Sequence, residues 1–288
     1  MLNPPLARPG ARLRELWAQR PVVMPGVYDG ISAVSAYKAG AQALYLTGAG
    51  LTNAGLGVPD IALATLTEFS MAAARVTAVA PVPVLSDADT GFGTEPSVRR
   101  TVIEMERAGL AGIHLEDQQM PKRCGHLDGK TLIPSEEMEA KIRAAVAAKA
   151  DPSFVIVART DAKGVEGLEG AINRAQAYVR AGADAVFPEG LASEEEFVAF
   201  RAALEVPLLA NMTEFGKTPI IPASRFGELG YEMVIFPMTA FRVMLKALDE
   251  TYTELISSGT QAELLDRMRT RAELYERIDY PEYDRLSS

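Results

Sequence analysis

The stretch "VPVLSDADTGFGTEPSVRRTVIEMERAGLAGIHLED", residues 82–117, decides the fold. "VPVLSDAD" (82–89) is a short apolar run that ends in acids. "TEPSVRRTVIEMERAG" (94–109) has helical periodicity and stops at Ala-Gly. "GIHLED" (112–117) is a second apolar run that again ends in acids. Buried strands of a parallel sheet read as continuous apolar runs because both faces are covered. Glycine just past a helical pattern is a stop signal.

The same unit recurs on both sides. "VVMPGVY" (22–28) and "ALYLTGAG" (43–50) precede it; "FVIVART" (154–160), "AVFPEG" (185–190), "PLLANMTE" (207–214) and "MVIFPM" (233–238) follow. Each leads into a helical pattern, with glycine stops at Gly40, Gly109, Gly182 and Gly230. Eight β-then-α units predict an α/β fold, a (β/α)8 TIM-type barrel, with an N-terminal helix and C-terminal helices. A doubly wound open sheet is the alternative. It would want a glycine-rich phosphate turn after the first strand, and "PGVYDGIS" (25–32) is not GxGxxG. Residues 1–288 read as a single barrel domain, with 240–288 as a helical extension.

Apolar residues make up 48% and charged residues 23%, ordinary for a soluble globular chain. A net charge of -9 without a basic run argues against nucleic acid as a partner. No apolar run reaches the length of a membrane span, and the N-terminus lacks a signal-peptide apolar stretch. A single cysteine, Cys124, fits a reducing cytoplasm.

Barrel chemistry sits at the C-terminal strand ends, and the polar residues cluster there. Asp87 and Asp89 are two apart, which on a strand aims both to one side. Glu116 ends the next strand. Three carboxylates on one rim repel unless a cation lies between them. Oxygen-only ligands point to Mg2+, or Mn2+, rather than zinc. For Asp117 the expected role is only that of a helix cap.

The loop from Gln118 to Pro134 is far longer than most strand-to-helix connections and reads as a lid. Within it, Lys122, Arg123 and His126 surround Cys124, with Gly125 and Gly129 beside them. Neighbouring cations favour a thiolate, so Cys124 reads as reactive rather than as an inert small apolar side chain. It could be a nucleophile with His126 as base, or a proton donor; spacing leaves both open. A cysteine hydrolase would need no metal, and a non-catalytic barrel would not keep both the acids and the thiol.

"KRCGH" after "HLEDQ", with "SDADTGFG", "VARTDA" and "ANMTEFGKTP" in order, resembles the isocitrate lyase/phosphoenolpyruvate mutase superfamily. The resemblance runs from about Val22 to Tyr280. It implies a Mg2+-dependent barrel that cleaves a C–C bond beside a carboxylate, usually as a homotetramer, with the last barrel helix swapped between subunits. Asp87 is implied as the metal ligand, with Asp89, Asp60 and Glu116 around its waters. Thr47, Gly48 and Ala49 match the segment that holds the keto-acid half. Cys124 is implied as the general acid that protonates the other half after retro-aldol cleavage.

Within the superfamily, "VEGLEGAINRAQAYVRAGAD" (165–184) is most similar to the propionate-degrading branch. That branch acts on a tricarboxylate, which needs more cations than the dicarboxylate lyases or oxaloacetate decarboxylases do. Arg159 ends strand five, and Arg242 and Arg271 match the branch's substrate arginines; guanidinium groups bind carboxylates through two parallel bonds. Glu189, Asn211 and Thr213 complete the expected polar set. Tyr28 and Asp29 depart from many members of that branch. They are expected to face the pocket from the end of strand one and to favour a dimethylmalate-type site.

Overall fold

The computed structural model describes residues 6–19, 21–123, 125 and 129–287. Eight parallel strands form the sheet: β1 Val22–Val27, β2 Leu44–Leu46, β3 Val84–Asp87, β4 Gly112–Glu116, β5 Val155–Thr160, β6 Ala185–Pro188, β7 Leu209–Asn211 and β8 Met233–Phe236. Their order is β6-β5-β4-β3-β2-β1-β8-β7. A parallel bridge from Val186 to Leu208, with the Val186 amide donating to the Pro207 carbonyl at 3.0 Å, joins the two ends. The sheet is therefore a nearly closed barrel, and the doubly wound alternative falls away. The four glycine stops have left-handed φ, +97° at Gly40, +85° at Gly109, +108° at Gly182 and +86° at Gly230, a region that residues with a Cβ seldom adopt.

Alternate strand residues face opposite ways. Met24, Tyr45, Leu85, Val157, Phe187 and Ile235 form one buried cluster inside the barrel. A second apolar layer lies between the sheet and its helices, for example Ile113, Ile156, Met105 and Ile142. The helix Pro9–Trp17 adds Leu13, Leu16 and Trp17 to the inner cluster. Its Arg14 donates to the Ser153 carbonyl, just before β5, at 3.0 Å. This helix plugs the N-terminal end of the barrel and leaves only the C-terminal end available for a site.

After β8 runs the helix Thr239–Ser258, followed by shorter helices at Arg271–Arg277 and Tyr280–Ser287. The long helix buries Phe241 and leaves Val243, Leu248, Tyr252 and Ile256 exposed. No helix among the described residues is long and apolar enough to cross a membrane.

Candidate active site

A cavity of about 770 Å3 opens at the C-terminal ends of the strands. A groove of about 660 Å3 lies outside the barrel between Lys38 and Tyr280; it lacks a ring of acids and is not where the chemistry sits.

The acids come together by a turn as much as by a strand. β3 ends at Asp87, and Asp89 lies beyond it with φ +48°, so the two-apart alternation stops short of it. The Asp89 amide donates to Asp87 Oδ1 at 2.8 Å, which brings the two carboxylates together. Glu116 ends β4, and its amide donates to the Asp89 carbonyl at 3.0 Å. Lys122 places a buried ammonium among them, 2.9 Å from Asp60 Oδ1 and also paired with Asp89 Oδ1.

Burial and mutual repulsion dominate this ring. Burial pushes the Asp89 carboxyl up to about 7; Asp87 and Asp60 push it the same way, while Lys122 opposes them. Burial also raises Glu116 well above the usual carboxylate range, against the pull of Arg159 and Lys122. Asp87 ends below its ordinary value: burial raises it, but the interaction with His114, the positive charges of Lys122 and Arg159 and the hydrogen bond from the Asp89 amide outweigh that. Burial alone would depress Lys122; the surrounding Glu116, Asp89, Asp87 and Asp60 drive it well above its usual value. It is therefore fully charged.

The second half of the cavity is built on Arg159. Its guanidinium is held by Asp161, Nε to Oδ2 at 2.9 Å, and lies 3.3 Å from Glu116 Oε2. It also covers the Phe187 ring, at 5.1 Å from the centroid. Asn211 Nδ2 donates to Glu189 Oε2 at 3.0 Å on the neighbouring wall. Arg242 reaches the rim from the first turn of the helix Thr239–Ser258. It donates to the Glu214 carboxylate at 2.5 Å and to the Glu214 carbonyl at 2.8 Å. Thr213 Oγ1 lies 3.4 Å from the same nitrogen.

On the other side, Thr47 caps the short helix Gly48–Leu51, its hydroxyl accepting from the Gly50 amide at 3.2 Å. Ala49 lines the cavity beside it. Gly48 lies behind the lining, where a Cβ would strike the Asp87 carboxylate and the Phe69 ring. Gly125 has the same requirement on the side of the loop after β4: a Cβ there would come within 2.6 Å of Arg159 Nη2. Arg123 also lines the cavity, its backbone pinned by the Gln118 side chain through bonds of 2.8 and 2.9 Å. Cys124 and His126 lie outside the described residues.

Expectations at four residues need correction. Tyr28 does not face the cavity: its ring packs edge-on against Phe241 at 5.7 Å, and its hydroxyl points to the Met244 sulfur. Asp29 caps the helix Gly30–Lys38 through Ser32. Arg271 stands exposed at the start of its helix, outside the cavity of this chain, because the C-terminal segment docks on the barrel's flank through Asp279 and Lys38, 2.8 Å apart. Asp117 is not a cap. It is a buried acceptor for the Thr160 hydroxyl, the Tyr178 hydroxyl and the Asp161 amide, at 2.8, 2.8 and 2.9 Å.

The structure also adds residues. Tyr45 lines the cavity, and its hydroxyl lies 2.7 Å from His114 Nε2, which in turn is 3.7 Å from Asp87 Oδ1. Burial lowers the His114 imidazole to about 4, so it is neutral at physiological pH and supports the acids without adding charge. The available signal was one of only two histidines, set in the middle of an apolar strand.

Both oxygens of Glu116 are buried and accept no hydrogen bond among the described residues. Such orphaned acceptors are costly unless something else satisfies them. Among the described residues no three His, Cys, Asp or Glu side chains converge as a complete metal cage. Buried carboxylate oxygens of this kind suit Mg2+, a hard cation that keeps several of its waters. The donor set fits that ion.

Fold and site together define an α/β barrel enzyme whose strand ends carry acids, a buried ammonium and arginines. The family model for phosphoenolpyruvate phosphomutase matches residues 13–256. The 2-methylisocitrate lyase of Aeropyrum pernix is 54% identical over 282 residues, covering 98% of this chain and 91% of that protein. The crystal structure of 2,3-dimethylmalate lyase superposes with a TM-score of 0.92 at 36% identity, covering 98% of this chain and 95% of the other. Phosphonopyruvate hydrolase, solved with oxalate and Mg++, gives a TM-score of 0.86 at 27% identity, covering 97% of each chain. The chain belongs to the isocitrate lyase/phosphoenolpyruvate mutase superfamily.

Proposed function

We propose that this chain is a Mg2+-dependent carbon–carbon lyase that cleaves 2-methylisocitrate to pyruvate and succinate. The observation that carries this reading is a cavity with two separate arginines, Arg159 and Arg242, facing an acid ring suited to a hydrated cation. The high identity to 2-methylisocitrate lyases supports the same substrate.

Asp87 would hold the metal directly, and Asp60, Asp89 and Glu116 would hold its waters; Mn2+ could replace Mg2+. When bound, the ion polarises the hydroxyl and carboxylate of the half that becomes pyruvate. Thr47 and Ala49 border that half. Transfer of the hydroxyl proton to a carboxylate of the acid ring lets the C–C bond break, and its electron pair stays on the succinate half. Arg159 and Arg242 hold carboxylates there, and the Asn211–Glu189 pair fixes the wall between them. The carbon left with the electron pair takes a proton, which Cys124 supplies; Lys122 and Arg123 stabilise the thiolate that remains. A thiol, ordinarily near pKa about 8.5, can give and retake that proton.

One observation favours a second reading, a dimethylmalate-type dicarboxylate lyase. The Arg242 charge is already matched by Glu214 at 2.5 Å, so it has less to offer a third carboxylate. The exposed apolar row on the helix Thr239–Ser258 supports packing of that helix on a partner subunit and a homotetramer, while the segment around Asp279 stays on its own barrel through Lys38. The single cysteine supports a cytoplasmic setting.

The test is product analysis. Incubation with 2-methylisocitrate and Mg2+ should release pyruvate and succinate in equal amounts, EDTA should stop it, and added Mg2+ should restore it. Product without metal would overturn the metal assignment; no cleavage would overturn the substrate.

A further inference from the structure

Lys130 is a buried ammonium that the reaction scheme above does not use. Its Nζ lies 2.9 Å from Asp161 Oδ1 and also donates to the Gly125 carbonyl. Its side chain is 3% exposed and that of Asp161 is fully buried. Asp161 is the carboxylate that fixes Arg159, through Nε at 2.9 Å and Nη2 at 3.3 Å. The Asp161 main chain is itself fixed, since its amide donates to buried Asp117 at 2.9 Å. Gly125 follows Cys124 in sequence, and there is no room for a side chain between it and Arg159 Nη2.

One cation thus ties two parts of the site together: the backbone beside the thiol and the guanidinium that holds substrate. A buried lysine must regain through its partners what it loses in hydration. What sets Lys130 apart is where its second partner lies, on the main chain at Gly125, one residue past Cys124. Resting on the lyase reading above, we propose that Lys130 is a positioning residue. It sets the distance between the Gly125 backbone and the Arg159 guanidinium. The substrate does not touch it. Its loss should misplace the proton donor relative to the bound anion, and small misplacements of reacting groups cost rate rather than binding.

The experiment compares Lys130→Met with Lys149→Met. Lys149 is a matched control, since it also joins a carboxylate and a carbonyl, Asp184 at 2.8 Å and Phe154 at 2.9 Å, away from the cavity. Three quantities are measured: Tm, kcat and KM for pyruvate release from 2-methylisocitrate, and the rate at which iodoacetamide alkylates Cys124. Lys130→Met should lower kcat by about tenfold or more with KM within about threefold, and should shift the alkylation rate by about threefold or more. Lys149→Met should lower Tm similarly while leaving kcat and alkylation near wild type. Lys130→Arg, whose fork can reach both acceptors, should recover much of kcat. If Lys130→Met does not fold, Lys130→Gln takes its place with the same expected result. Wild-type kcat and alkylation in the Lys130 variant would overturn the proposal, as would a loss shared equally with Lys149→Met. If the wild-type enzyme releases no pyruvate, the substrate reading fails, and the alkylation rates still decide the role of Lys130.

Discussion

Lys122 Nζ, itself buried, and half-buried Asp60 Oδ1 stand 2.9 Å apart in a ring of carboxylates that also takes in Asp87, Asp89 and Glu116. Two like charges about 4 Å apart repel by about 4 kcal/mol at an effective dielectric near 20. The ammonium therefore holds the acids together and also opposes an incoming divalent ion. Lys122→Met should lower the Tm of the metal-free protein. It should also tighten Mn2+ binding by about tenfold or more, worth about 1.4 kcal/mol. Calorimetric titration with Mn2+ checks this, and unchanged or weaker binding would count against it.

Asp89 adds a pH dependence with a definite sign. Its carboxyl sits near about 7, raised first by burial and then by Asp87 and Asp60. A metal favours the ionised form. Below that pH, binding must expel a proton, so Mn2+ affinity should rise as pH increases through about 7 and then level off. Asp89→Asn should flatten the profile. Titrations in buffers of different ionisation enthalpy would show the released proton, and a flat wild-type profile would contradict the assignment.

Arg242 tests the substrate half. Arg242→Leu leaves a substrate carboxylate facing an apolar group and should cost about 2–5 kcal/mol in kcat/KM for 2-methylisocitrate. Pyruvate with Mg2+ should still bind, because that half lies near Thr47 and Asp87. Cleavage of 2,3-dimethylmalate should fall much less. Equal losses for both substrates would favour the second reading.

Cys124→Ser should abolish turnover while Mg2+ and pyruvate binding persist, because a serine hydroxyl is too weak an acid to replace the thiol. Near wild-type rate in this variant would remove Cys124 from the scheme.

The barrel was legible because its signals are local. Continuous apolar runs and Ala-Gly stops sit within a few residues of each other, and each stop is a left-handed glycine in the structure. The acid ring was legible for the same reason: Asp87 and Asp89 are neighbours, and Glu116 ends the next strand. What was missed depends on partners distant in sequence. Asp117 reads as a cap until Thr160 and Tyr178, 43 and 61 residues away, are seen to donate to it. Nothing in the sequence singles out Lys130, whose partner Asp161 lies 31 residues away. Tyr28 sits at a strand end, as expected, but the helix after β8 supplies Phe241 and Met244 to cover it. No periodicity in the sequence encodes how that helix lies across β1.

The most direct measurement of the central claim is the ratio of kcat/KM for 2-methylisocitrate to that for 2,3-dimethylmalate, with Mg2+ and pyruvate release as the common readout. The two-arginine cavity predicts a ratio of about a hundred or more, since dimethylmalate lacks one carboxylate for these arginines to hold and a lost charge-assisted pair costs several kcal/mol. A ratio near one, or one favouring dimethylmalate, would contradict it.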